Sequence, residues 1–111
     1  MKLNEIIERL QLKILIGQEN LDVEVTGGYT SDLLSDVIAN SQAGNLWITL
    51  QIHQNIIAVA KLKDLAGIII VNNREPDEET LDKAKEENVP LLSSKEMAFE
   101  ISGKLYELLS R

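Results

Sequence analysis

His53 is the only histidine of the chain, and imidazole is the side chain best suited to proton transfer near neutral pH. It lies between a predicted buried strand and a predicted helix start, where an imidazole could act as a general acid or base. That role needs an orienting carboxylate, which the sequence does not place, and a structural or capping histidine is the alternative. Since the chain has no cysteine, a zinc ion would find only carboxylates beside His53. We therefore predict no metal site, and we assign no catalytic residue and no cofactor.

Gly27-Gly28 is the most conspicuous local motif. Paired glycines in front of a predicted helix can bring backbone N–H groups close to a phosphate. The alternative is a bulge or a turn that requires a positive φ. The chain contains neither G-x-G-x-x-G nor G-x-x-x-x-G-K-S/T, so both common nucleotide-binding motifs are missing from the sequence.

Arg74 is one of three arginines, and it lies in a predicted polar turn. Its guanidinium is suited to planar anions such as carboxylate and phosphate, and a surface arginine with no special task is the alternative. Asp32 and Asp36 lie four residues apart on a predicted helix, where capping and solvent exposure account for them without a metal ion. Ser31 and Ser94 are interpreted as helix caps.

The elements that must position these residues follow from the spacing of the apolar side chains. Helices are predicted over about residues 3–10, 31–40, 54–63, 77–87 and 93–109, and strands over about 12–16, 23–29, 46–49, 66–71 and 89–92. From residue 31 onward the two types alternate, which is typical of parallel strands joined by crossover helices. We therefore predict a single small three-layer α/β domain over residues 1–111. Its sheet should be mainly parallel with about five strands, and the directions of the first two stay open.

The carboxyl edge of such a sheet, which we call the rim, is where ligands gather in α/β folds. Helix N-termini meet there, and their free N–H groups and dipoles favour an anion such as a phosphorylated metabolite or a nucleotide. The sequence places ten candidate ligand-binding residues near the rim, namely Thr26, Gly27, Gly28, Ser31, Asp32, Thr49, His53, Asn72, Arg74 and Ser94.

The acidic balance of the chain disfavours two classes of partner. There are 11 Lys and Arg residues against 18 Asp and Glu residues, for a net charge of -7. A protein of this charge is poorly suited to nucleic acid or to an anionic membrane. The longest apolar run, Ile68–Val71, is far shorter than the ~20 residues of a membrane helix. Because the first residues also turn polar too soon for a signal peptide, we expect a cytoplasmic protein.

The last predicted helix has more apolar surface than one sheet face can cover. Phe99, Tyr106 and Leu109 form a second apolar stripe beside Ile101. That pattern indicates a partner, and a twofold homodimer is the commonest solution. Gly103, inside the same helix, costs roughly 1 kcal/mol relative to alanine. A close approach of another helix or a sheet would explain it.

The stretch from residue 21 to residue 37 resembles the DRTGG domain family, which is named for an Asp-Arg-x-x-Thr-Gly-Gly-like signature. Asp22 and Thr26-Gly27-Gly28 match that signature, whereas Val23 stands at the arginine position. Residues 2–6, 46–53, 74–79 and 89–93 also look like the family, so the resemblance covers nearly the whole chain.

The resemblance implies an α/β fold similar to the N-terminal domain of HPr serine kinase/phosphorylase, and a domain found alone, beside CBS domains in regulated pyrophosphatases, or with phosphotransacetylase. The phosphate-binding loop of that kinase does not occur here, so no kinase activity is carried over. Our leading hypothesis is a non-enzymatic regulatory or interaction domain that forms a homodimer and senses an anionic metabolite or nucleotide at the rim. The alternatives are an enzyme or enzyme accessory acting on a phosphorylated small molecule through His53, and a structural subunit of a larger complex, bound to a protein partner.

Overall fold

The computed structural model describes residues 1–110. Within them, five helices and five strands follow in the order α1 (Leu3–Leu10), β1 (Lys13–Ile16), β2 (Gly27–Thr30), α2 (Leu34–Asn40), β3 (Asn45–Thr49), α3 (Asn55–Leu62), β4 (Gly67–Ile70), α4 (Glu78–Glu87), β5 (Leu91–Ser93) and α5 (Ala98–Leu109). None of the helices in this part of the chain is long and apolar enough to cross a membrane.

The strands form one mainly parallel sheet in the order β1-β5-β4-β3-β2, as predicted. Strands β2, β3, β4 and β5 run parallel to their neighbours. Strand β1 is antiparallel to β5, which settles a direction that the sequence left open. Because β1 runs the other way, its first residue lies at the rim.

Helices cover both faces of the sheet and complete three layers. Residues of α1 and α5 form one apolar cluster with side chains from one sheet face, among them Ile69 and Leu92. Helices α2, α3 and α4 form a second cluster on the other face with Trp47, Ile68 and Ile70. The successive isoleucines of β4 therefore point into different layers, and all three are 0% exposed. This explains the unbroken apolar run, since a central parallel strand is buried on both faces.

Two helices begin later than predicted, so the predicted caps were wrong. Helix α2 begins at Leu34, because the Ser31 hydroxyl accepts the Leu33 N–H in a local turn before the helix. Helix α5 begins at Ala98, because the Ser94 hydroxyl accepts the Glu96 N–H in a similar turn. Neither serine caps its helix, and each instead shapes the loop that leads from a strand into a helix.

Candidate functional site

Asp32 organises the rim between β2 and β3. Its Oδ1 accepts hydrogen bonds from Thr49 Oγ1 at 2.9 Å and from the Leu50 N–H at 2.7 Å. The Gln51 side-chain amide donates to the Asp32 carbonyl at 2.7 Å. A carboxylate of the chain itself therefore occupies the hydroxyl and backbone donors that an anion would use at this point.

The loop after β4 joins the middle of the rim to both neighbouring strands. Arg74 Nη1 donates to the Leu50 carbonyl at 2.6 Å. The Asn72 N–H donates to the Glu96 carbonyl at 2.8 Å, and the Asn73 N–H donates to the Ser94 carbonyl at 2.9 Å. Both asparagines have positive φ values, 61° and 53°, in the left-handed region that asparagine tolerates better than most residues. The loop is thus held in one conformation from both sides.

Six of the ten candidate residues therefore meet along the rim. Ser31 completes the row at its β2 end, where its N–H donates to the Ile48 carbonyl and its carbonyl accepts from Trp47 Nε1 at 2.8 Å. From β2 to β5 the row consists of Ser31, Asp32, Thr49, Arg74, Asn72 and Ser94.

His53 lies near this row and is exposed. Its Nδ1 accepts the Asn55 N–H at 3.3 Å, which satisfies a donor of the first turn of α3. No carboxylate within residues 1–110 is hydrogen-bonded to its ring, so the orienting partner of a catalytic histidine is missing from this arrangement. The same residues contain no cluster of acidic or histidine side chains that could hold a metal ion.

Thr26, Gly27 and Gly28 do not join the rim, and the prediction that places them there is wrong. Gly27 is the first residue of β2 and pairs with Asn45, the first residue of β3. The Thr26 N–H donates to the Gly44 carbonyl at 3.0 Å, at the opposite edge of the sheet. The glycine pair opens a strand instead of following one, so it is separated from the rim by the length of β2.

The close packing of α5 on β2 accounts for the glycine at position 28. A Cβ there would lie 2.8 Å from Leu105 Cδ2, too close for the two to coexist without movement. At Gly27 a Cβ would lie 3.2 Å from the Asn45 side-chain amide. Neither glycine has a positive φ, so the bulge or turn proposed as the alternative is also absent at these two residues.

A groove of about 640 Å³ lies between α5 and β2, and we call it the α5–β2 groove. Its floor includes Gly28 and Ile48, and its walls include two strongly exposed aromatic side chains, Phe99 (85%) and Tyr106 (77%). Gly103 also faces it, and a Cβ added there would meet no atom of residues 1–110 within 4 Å. Strand β2 ends the sheet on this side. The groove is therefore a mainly apolar concavity beside the edge strand of the sheet.

A hydrogen-bonded carboxylate fixes α2 onto β2. Tyr29 Oη and Asn40 Nδ2 each donate to Asp36 Oδ1 at 2.8 Å. The Tyr29 hydroxyl, followed by the Asn40 amide, lowers the pKa of Asp36, because both stabilise its ionised form. The same hydrogen bond from Tyr29 to Asp36 raises the pKa of the Tyr29 hydroxyl. The sequence places Asp36 on a helix but does not reveal this pairing.

Both the sequence and the fold are similar to those of known proteins. A family model described as "DRTGG domain" matches residues 5–108. The fold is similar to a crystal structure of the CBS and DRTGG domains of the regulatory region of Clostridium perfringens pyrophosphatase, complexed with the activator diadenosine tetraphosphate. The TM-score is 0.74 with 16% sequence identity over 93% of this chain, and the match spans 44% of that chain. No curated protein matches the sequence.

Proposed function

Because the chain belongs to the DRTGG domain family, we propose that residues 1–111 form a single regulatory domain, without catalytic activity, that works as a homodimer and responds to an anionic metabolite. The pyrophosphatase region of similar fold supports the regulatory role, since it is described as regulatory and was solved with an activator. This chain matches less than half of that region, so the proposal concerns a DRTGG module and not the whole regulatory assembly.

One observation supports the homodimer: exposed apolar side chains and an apolar groove lie on the same face of the molecule. Phe99 and Tyr106 project from α5, and the α5–β2 groove lies between them and β2. A twofold interface uses one surface patch on both copies, so that patch must complement itself. Side chains that project beside a groove meet this requirement, because each copy can place its rings in the groove of the other.

The apolar area on this face is of the size that a dimer needs. Covering Phe99 and Tyr106 would bury about 300–500 Å² in each copy. A standard interface buries about 800 Å² per partner, and the groove walls and Met97, which is 57% exposed, supply further area. A contiguous exposed apolar patch of this kind is typical of a protein–protein contact surface.

Gly103 gives independent support for a partner on α5. A glycine in the sixth position of a twelve-residue helix lowers helix stability by about 1 kcal/mol relative to alanine. Nothing within residues 1–110 requires it, because a Cβ there meets open space. The backbone of a partner approaching along the groove would require it, as glycine allows two backbones to come close.

Light scattering with paired variants tests the homodimer. At micromolar concentrations the protein should have about twice its chain mass of 12.4 kDa. Tyr106→Glu should give the monomer mass, because it introduces a charge into the apolar interface. Leu62→Glu is the matched control, since Leu62 is 69% exposed on α3, on the opposite face of the sheet, and this variant should stay dimeric. A monomer mass for the parent protein at all these concentrations would overturn the homodimer.

We propose that the anionic metabolite binds at the rim. Its β2 half is closed by Asp32, whose carboxylate takes the local donors. Its β5 half carries Lys95, an exposed lysine next to Ser94 that has no ion pair within residues 1–110. The exposed His53 is hydrogen-bonded to the backbone of α3, and this arrangement favours a positioning role over the acid–base role that an enzyme acting on a phosphorylated substrate would need.

A further inference from the structure

Three lysines from separate segments of the chain line a cleft at the β5 end of the rim. Lys13 begins β1, Lys95 follows β5 and Lys104 lies on α5, and all three line a cleft of about 500 Å³, which we call the lysine cleft. A cleft of this volume suits a small metabolite.

The antiparallel pairing of β1 with β5 builds this cleft. Lys13 lies opposite Ser93 in that pairing, so the first residue of β1 is brought to the last residue of β5. Ser94 follows with its N–H bound to the Ile70 carbonyl, which holds the loop carrying Lys95 against the sheet. The backbone that presents two of the lysines is therefore part of the rigid sheet or directly attached to it.

The charge of the lysine cleft is opposite to that of the molecule. The chain has a net charge of -7, whereas the described lining of the cleft contains three lysines and one carboxylate, Glu96. Within residues 1–110, neither Lys13 nor Lys95 has an ion pair. Two ammonium groups that line one cleft of an acidic protein without an ion pair among the described residues favour a dianion by simple Coulomb attraction.

The third lysine, Lys104, already forms an ion pair with Glu96. Both of its carboxylate oxygens contact Lys104 Nζ, at 2.7 and 2.9 Å. An anion entering the cleft would compete with this carboxylate for Lys104 and would be repelled by it. Glu96 therefore acts as an internal competitor that lowers the affinity of the cleft.

We propose that the lysine cleft binds a compact metabolite bearing two or more phosphate groups, held by Lys13, Lys95 and Lys104. Ammonium groups are good phosphate ligands, and Ser93 belongs to the same lining. Among the described lining residues there is no aromatic ring on which a base could stack, so recognition rests on the phosphates. This inference deepens the regulatory role proposed above by naming its effector class and site.

Isothermal titration with inorganic pyrophosphate at low ionic strength tests the proposal. We expect saturable binding with one site per chain, and at least about tenfold weaker binding for Lys13→Ala and for Lys95→Ala. Glu96→Gln should strengthen binding severalfold, because it removes the competing charge and keeps the side-chain size. Lys85→Ala is the matched control, since Lys85 is an exposed lysine of α4 on the opposite face, and it should bind as the parent does.

Three results would overturn the lysine cleft: no binding of pyrophosphate, equal weakening by Lys85→Ala and Lys95→Ala, or weaker binding by Glu96→Gln. Circular dichroism of each variant excludes unfolding as the cause. Light scattering of the same samples separates this inference from the homodimer. A dimer that does not bind pyrophosphate refutes the cleft alone, whereas a monomer that binds it refutes the dimer alone.

Discussion

Replacing Gly103 by alanine should change the stability of one chain and the affinity of the dimer in opposite directions. In the isolated chain the new methyl group meets no atom of residues 1–110 within 4 Å, so it causes no steric cost. Alanine in a helix interior is more favourable than glycine by about 0.5–1 kcal/mol. The free energy of unfolding of the monomer should therefore rise by that amount, and the melting temperature by about 2–4 °C.

In the proposed homodimer the same methyl group would lie in the α5–β2 groove, at the interface. Overpacking one methyl group costs about 1–3 kcal/mol, and a twofold interface places it twice. The dissociation constant should therefore rise by at least about tenfold, since 1.4 kcal/mol corresponds to one factor of ten. The loss of affinity then accompanies a gain of stability, which a general destabilisation of the fold cannot imitate.

The assay combines urea unfolding of dilute protein with sedimentation over a range of concentrations. Asp82→Ala is the matched control, because Asp82 is an exposed residue inside α4 where alanine also improves helix propensity, far from the groove. That variant should gain stability and keep the parent dissociation constant. If Gly103→Ala gains stability and dimerises as the parent does, Gly103 does not lie in the interface. If it gains no stability, the argument from open space around Gly103 is wrong.

Two further predictions concern the core and the Asp36 hydrogen bonds. Ile69→Asp should unfold the protein, because Ile69 is 0% exposed in β4 and an unpaired buried charge costs several kcal/mol. Ile38→Asp is the control and should stay folded, since Ile38 is 40% exposed on α2. Circular dichroism melts compare the two variants. A folded Ile69→Asp variant would refute the burial of β4 on both faces. Tyr29→Phe should raise the pKa of Asp36 toward its ordinary value, as followed by carboxyl carbon NMR. Because the pKa of Asp36 is lowered in the folded state, the ionised carboxylate stabilises the fold above the unfolded pKa, and this stabilisation is lost as pH falls through the folded pKa. The Tyr29→Phe variant should therefore lose less stability on acidification than the parent protein. An unchanged Asp36 titration would contradict this account.

The sequence by itself determined the order of the elements and the burial of the central strand. Ile68, Ile69 and Ile70 show no polar alternation, and the structure buries all three in the middle of the sheet. Thr49 and Arg74 lie at the rim, as the sequence predicts, because Thr49 ends β3 and Arg74 follows β4, and both strands have parallel neighbours. These features depend on local periodicity and on the general rule that crossover helices connect parallel strands.

The boundaries of short elements were harder to predict. The sequence predicts that Ser94 caps α5, but its hydroxyl accepts the Glu96 N–H in a turn and the helix begins four residues later, at Ala98. Serine side chains bind nearby N–H groups in turns as readily as in caps, so the local pattern alone does not separate the two. The same ambiguity applied to Ser31 before α2.

Only the tertiary structure decided which distant residues share a surface. The antiparallel direction of β1 brings Lys13 beside Lys95, and the start of β2 at Gly27 moves the glycine pair to the edge opposite the rim. Neither follows from the sequence, because side-chain alternation records which residues are buried but not the direction or register of a strand. Direction and register are set by pairing between segments far apart in the chain, and in this protein they decide where positive charge collects.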